Sequence, residues 1–173
     1  MFTNRARILV TGLFVLLLAV ILYMRVYELA AVAVLFIVLL IWGYFKQGTI
    51  VLAAKAFHQK DYAKAENLLR QVANPNWLSK NRRGFYEFIY GGVCLQKHEF
   101  DEAEQHYELA AQYPLRSAND HVAALVHVAN INVRKGDYEK ARAYLSLTEK
   151  HRENISAKMK DVILKVEQEL SKH

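Results

Sequence analysis

Two uninterrupted apolar runs fill the first quarter of the chain, residues 8–24 and 29–45, each 17 residues long and free of Asp, Glu, Lys, Arg and His. At ~1.5 Å per residue each makes a helix of about 25 Å, close to the ~30 Å hydrocarbon core of a bilayer, so the pattern predicts two membrane-spanning helices. Only four residues separate them, which forces an antiparallel hairpin. The rings of Tyr23, Tyr27, Trp42 and Tyr44 fall where interfacial anchors belong. Arg5 and Arg7 precede the first run, and Lys46, Lys55, Lys60 and Lys64 follow the second. The turn has only Arg25, beside Glu28, so both termini are expected on the cytoplasmic side. A cleaved signal peptide would also carry basic residues before an apolar run. The first run exceeds a typical signal core, however, and a second follows at once, which favours a retained hairpin. With no ionisable group inside either run, the hairpin reads as an anchor and not as an ion or proton path. Gly12, Ala30, Ala31 and Ala33 leave room for close helix contact.

From residue 46 onward the pattern switches to helical periodicity, and it repeats itself. Asp61-Tyr62-Ala63-Lys64-Ala65, Glu99-Phe100-Asp101-Glu102-Ala103 and Asp137-Tyr138-Glu139-Lys140-Ala141 align without gaps at a spacing of 38. Upstream, the small residues Ala53, Gly91 and Ala129 share one offset, preceded by bulky Leu52, Tyr90 and Val128. Downstream, Leu69, Tyr107 and Leu145 share another. Each unit reads as two helices. The second opens on an acidic residue whose carboxylate can accept from the unpaired amides of the first turn. Phe100, Ala103, Tyr107 and Ala110 then form one apolar face, leaving Asp101, Glu102, Glu104 and Glu108 mainly outside.

These positions resemble the tetratricopeptide repeat (TPR), a helix pair with a small residue in its first helix, then an aromatic, an alanine, a bulky residue and often a proline. The middle unit supplies Gly91, Phe100, Ala103, Tyr107, Ala110 and Pro114. The first supplies Ala53, Tyr62, Ala65 and Leu69, and the third Ala129, Tyr138, Ala141 and Leu145. The period of 38 exceeds the usual ~34, and the customary tryptophan of the first helix is absent. The four extra residues are expected either to extend a helix or to sit in the inter-repeat segments 74–83 and 114–121. A last amphipathic stretch, 156–172, places Met159, Val162, Ile163, Val166 and Leu170 on one face. It is expected to cap the array, whose final apolar face would otherwise be open.

The expected fold is therefore all-α: a transmembrane hairpin over 1–45 (spans about 8–24 and 29–45), three TPR-like pairs forming an α-solenoid over 46–152, and a capping helix over 153–173. The resemblance implies a concave face lined by the first helix of each pair. Its groove positions fall on Ile50, Ala54 and Phe57, then Phe85, Phe88 and Gly92, then Val126, Asn130 and Arg134. Phe85 and Phe88 are candidate anchors for an apolar peptide or helix, with Asn130 and Arg134 orienting it. The competing reading packs both phenylalanines inside the array. The Lys and Asn set with which some family members hold a peptide carboxylate is missing.

Composition narrows the chemistry. Two Pro, seven Gly and 53% hydrophobic residues exclude a disordered chain, and a single cysteine, Cys94, excludes an internal disulfide or a thiolate zinc cluster. The net charge of +6 is interleaved, with one short basic cluster at Lys80, Arg82 and Arg83, which does not suggest a nucleic-acid face. That cluster reads either as a solvated linker or as a contact for anionic lipid or an acidic protein surface. His98, Glu102 and His106 have i, i+4, i+8 spacing, but His98 falls in a turn and no further ligand is evident, so neither metal nor cofactor is expected. Cys94 sits at an inward helix position, as a buried cysteine does. No phosphate loop, nucleophile elbow or zincin motif is present. The chain is thus expected not to be an enzyme. It reads as a membrane-anchored protein-interaction module, an adaptor or assembly factor whose partners are membrane-associated proteins and the lipid bilayer. The alternative is an accessory subunit packed inside a larger membrane complex. The resemblance further implies a role at a bacterial inner membrane, and the homo-oligomeric state is left open.

Overall fold

The computed structural model describes the backbone of residues 4–24 and 27–172, and the side chains of 12–21, 23–24, 29–38 and 48–172. Among these residues are eight α-helices: α1 (Asn4–Tyr23), α2 (Tyr27–His58), α3 (Tyr62–Arg70), α4 (Lys80–Gln96), α5 (Phe100–Ala111), α6 (Ala118–Lys135), α7 (Tyr138–Thr148) and α8 (Ala157–Leu170). Two 3₁₀ turns, Pro75–Trp77 and Glu149–His151, complete the set. The chain divides into two compact units, Met1–Gly48 and Thr49–His173, and α2 contributes residues to both.

In the first unit the rings of Phe14 and Phe36 stack with centroids 5.9 Å apart, at positions equidistant from the turn, so α1 and the first part of α2 run antiparallel. Ala30 and Ala33 are buried there, whereas Ala31 is exposed and a Cβ on Gly12 would meet nothing within 4 Å. Leu13, Leu16, Leu29, Leu35 and Phe36 are exposed. Among the described residues, no helix is long and apolar enough to cross a membrane. The expectation of a transmembrane hairpin is corrected accordingly: the unit is a pair of apolar helices. The expected interfacial rings of Tyr27, Trp42 and Tyr44, and the charges of Arg5, Arg7, Arg25, Glu28 and Lys46, lie outside the described side chains.

The second unit is a stack of helix pairs, and its repeat is written in the backbone. Lys60, His98 and Gly136, spaced by 38, are the three described residues with positive φ, at 62°, 64° and 81°. Each makes the left-handed turn that ends a first helix. One residue later, Asp61, Glu99 and Asp137 begin the second helices with nearly identical dihedrals, φ −84° to −89° and ψ 74° to 75°. Asp61 and Asp137 accept hydrogen bonds from Lys64 N and Lys140 N, both at 3.1 Å. Glu99 does not cap. Its longer side chain turns to the Lys97 ammonium at 2.7 Å, a correction to the expectation of three equivalent caps.

Burial follows the repeat. Ala53 and Ala129 are fully buried, Gly91 is buried, and Ala65, Ala103 and Ala141 are fully buried beneath Leu69, Tyr107 and Leu145. Three core clusters result, each joining three successive helices. One unites Ile50, Ala53, Ala65, Leu69, Ile89 and Val93 of α2, α3 and α4. The next unites Cys94, Ala103, Tyr107, Val128 and Ile131 of α4, α5 and α6. The last unites Val122, Val126, Ala141, Leu145, Ile163 and Val166 of α6, α7 and α8. Each helix thus serves its neighbours and no distant partner, the arrangement of a solenoid. The helix α8, capped where the Ser156 hydroxyl accepts from Met159 N, buries Ile163, Val166 and Leu170 and closes the end of the array.

Candidate protein-binding groove

The first helix of each pair carries the expected groove residues, and the structure spreads them from core to surface. Val126 is buried in the last cluster, together with its counterpart Ile50 in the first. Phe57 is half-buried, its ring edge-on to Tyr62 with centroids 5.5 Å apart. It fills the space left by Gly92, where a Cβ would come within 2.7 Å of Phe57 Cζ. Phe85 packs on the first cluster and remains half-buried. Phe88 touches both the first and the middle clusters and meets Tyr107 edge-on at 5.7 Å. Asn130 is half-buried and Arg134 exposed, its guanidinium 5.9 Å above the Phe100 ring. The aromatic residues therefore pack on the array and stay partly accessible. The polar pair lies on the third first-helix.

Sequence reasoning missed the polar groups that join the repeats. Glu104, expected on the outside, is 5% exposed and binds across to the third pair: Oε1 accepts from Asn132 Nδ2 at 2.8 Å and Lys140 Nζ at 2.5 Å, Oε2 from Lys135 Nζ at 2.8 Å. Burial alone would raise this carboxyl, but the hydrogen bonds from Lys135, Lys140 and Asn132 prevail and hold it at about 2. Lys140 also meets Glu108 at 2.9 Å, and Tyr144 donates to Glu108 at 3.0 Å. A signal was present in the sequence. Glu66 and Lys97, 3.3 Å apart, stand one period before Glu104 and Lys135, so an acid–lysine pair 31 residues apart recurs at the spacing of 38. Glu87 was also missed. It is 1% exposed, with Arg83 Nε 2.6 Å from Oε1 and His106 Nδ1 2.5 Å from Oε2, and the His106 ring stacks on Tyr90 at 4.4 Å.

The remaining candidates have ordinary structural surroundings. His98 lies in its left-handed turn, edge-on to Phe100, while His106 is held by Glu87, so the structure does not bring His98, Glu102 and His106 together. Among the described residues, no three His, Cys, Asp or Glu are grouped for a metal ion. Cys94 is buried, and burial followed by the Glu99 charge pushes its thiol up to about 11, which suppresses the nucleophilic thiolate. Arg83, through its ion pair with Glu87 and its hydrogen bond to Asn76 Oδ1 (2.8 Å), is withdrawn from the basic cluster, leaving Lys80 and Arg82. A cleft of ≈ 520 Å³ beside the 3₁₀ turn Glu149–His151 is lined by charged and amide side chains, including Lys150, Glu153 and Lys160.

This ladder of helix pairs is matched by a family model, the SusR N-terminal TPR domain, over residues 45–164, more than half of the chain. The chain belongs to that family. Its match runs from the last turns of α2 into α8, so the TPR domain takes in all three pairs and the start of the terminal helix. Comparison with curated proteins and with solved structures gives no match. TPR domains are in general non-catalytic repeat modules for protein interaction, and the match suggests a protein–protein interaction module here.

Proposed function

We propose that the TPR domain acts as an adaptor or assembly factor, gathering a protein partner at the cytoplasmic face of a bacterial inner membrane. The observation that carries the reading is the row of first-helix side chains that remain reachable after the array has packed: Phe57, Phe85 and Phe88, then Asn130 and Arg134. A row of half-buried rings followed by an amide and a cation suits an extended or helical apolar segment ending in a polar or acidic residue. Arg134 makes no ion pair among the described residues, which leaves its charge for such a partner. Association with lipid is supported by the exposed aliphatic faces of α1 and the first part of α2. No charged residue occurs within 12–21 or 29–38, and apolar surface of that extent requires a covering.

Proximity labelling in cells tests the reading, with the labelling enzyme at the C-terminus and a control truncated after residue 48. Cytoplasmic membrane-associated proteins enriched by the full chain alone, and lost with Arg134→Glu, are the expected result. An enrichment identical to that of the truncated control would remove the array as the recognition surface. One partner at fixed stoichiometry after mild detergent extraction would favour an accessory subunit over an adaptor.

A further inference from the structure

The TPR unit has two long edges, one nearly balanced in charge and one basic. Helices α2, α4 and α6 run parallel. Phe57 near the end of α2 lies against Gly92 in the second half of α4, and Asn119 at the start of α6 receives Ser156 N at the start of α8. Second helices run the other way, since the segment of Tyr113, Pro114 and Leu115 that follows α5 packs on Gly84 at the start of α4. One edge therefore collects the left-handed turns. Segments 59–64, 97–102 and 135–140 there carry six carboxylates and five lysines. The other edge collects the inter-repeat segments. Segments 70–83, 112–120 and 149–153 there carry seven cations and three carboxylates.

On this basic edge several charges are already engaged: Arg70 with Glu66 at 2.6 Å, Arg83 with Glu87, and Arg152 with Glu149 at 2.6 Å. Asp120 is held by the Ser117 hydroxyl at 2.9 Å. Lys80, Arg82 and Arg116 make no ion pair among the described residues. On the same edge, three residues before Lys80, the 3₁₀ turn Pro75–Trp77 thrusts out Trp77, 70% exposed, the most exposed large apolar side chain of the described TPR unit. The turn is fixed where Asn74 Oδ1 accepts from Asn76 N at 3.0 Å and where Asn76 Oδ1 accepts from Arg83 Nη1, so the ring is presented on a braced support. An indole on the same edge as unpaired cations matches the level of a bilayer at which aromatic rings and headgroup phosphates meet.

We propose that this edge docks on an anionic lipid surface, with Trp77 seated among the headgroups and Lys80, Arg82 and Arg116 against the phosphates. The proposal rests on the reading that the chain associates with a bilayer, and it adds that the repeats themselves touch the membrane by this edge. Such docking would fix the groove's orientation relative to the lipid surface, in place of an array free to rotate on its attachment.

The test uses the full chain carrying Trp42→Phe, which leaves Trp77 as the single tryptophan. Protein reconstituted with phosphatidylglycerol-containing vesicles should show a blue-shifted Trp77 emission that brominated lipid quenches. In pure phosphatidylcholine vesicles, at molar salt, and in the triple variant K80E/R82E/R116E, the shift should vanish, with helicity by circular dichroism unchanged. Co-flotation with both vesicle types and an unshifted, unquenched Trp77 would overturn the docking edge while leaving bilayer association intact. Flotation with neither type would overturn both. An equal response to soluble polyglutamate or to a single-stranded oligonucleotide would overturn the assignment to lipid.

Discussion

Removing the Glu104 charge tests the claim that a buried carboxylate clamps the second helix pair to the third. In the folded protein this carboxyl lies at about 2, against an ordinary 4.5. At ~1.4 kcal/mol per unit, that gap corresponds to about 3 kcal/mol of folding free energy. Lys135 and Lys140 are 39% and 38% exposed and regain water when released, so the expected cost of Glu104→Gln at neutral pH is about 2 kcal/mol. Gln keeps an oxygen for Asn132, which confines the change to charge. Because the folded value is depressed, the contribution is complete above pH ~4.5 and disappears as pH falls through about 2. Urea unfolding followed by circular dichroism in mild detergent, for wild type and variant over that range, measures it. The two curves should differ at neutral pH and converge in acid. A neutral-pH difference below ~0.5 kcal/mol, or a constant difference at every pH, would refute the clamp.

Three further perturbations follow from the same geometry. Lys60 and His98 occupy left-handed conformations that cost a side-chain-bearing residue ~1 kcal/mol or more, so Lys60→Gly should stabilise the array by ~0.5–1 kcal/mol. The gain for His98→Gly should be smaller, because His98 leaves Phe100, and Gly136→Ala should cost ~1 kcal/mol; thermal melts rank the three. Gly92→Ala drives a Cβ to 2.7 Å from Phe57 Cζ and should cost ~1–3 kcal/mol by urea unfolding, with Phe57→Leu in the same chain restoring part of it. His127 stacks on Tyr107 at 4.5 Å, and burial pulls its pKa down to about 4. Stability should therefore be full above pH ~6.5 and fall by ~2–3 kcal/mol as pH drops to about 4, and His127→Phe should remove that portion of the acid dependence in the same unfolding assay.

The repeat was open to reading because its determinants are local. Small residues at 53, 91 and 129, alanines at 65, 103 and 141, and acidic residues at 61, 99 and 137 each act within a turn or against the next helix, and all recur at one spacing. What escaped was non-local or depended on side-chain length. Glu104 reads as surface from its own helix because its partners Asn132, Lys135 and Lys140 belong to the next pair. Glu99 holds a capping position, yet one extra methylene sends it to Lys97. The basic cluster at 80–83 looked uniform until Glu87, buried one turn later, took Arg83.

The N-terminal runs show the opposite failure. Unbroken apolar composition suggested spanning helices, yet among the described residues no helix is long and apolar enough for that. Hydropathy reported that these faces are apolar, and many of their side chains are exposed, but it did not say what covers them. The groove positions were placed by family register, and the register alone could not say that Val126 would be buried while Arg134 stayed exposed. That difference depends on whether the following helix covers the position.

Site-specific photocrosslinking in cells tests the central claim most directly. A benzophenone side chain is placed at Arg134, on the row of first helices, and in a second chain at Glu139 on the exposed face of α7. Crosslinks to a discrete protein from position 134, absent from 139 and reduced when Phe85 is changed to Ala in the same chain, are the result the account predicts. No crosslink from 134, or the same products from both positions, would contradict a TPR array that binds its partner along its first helices.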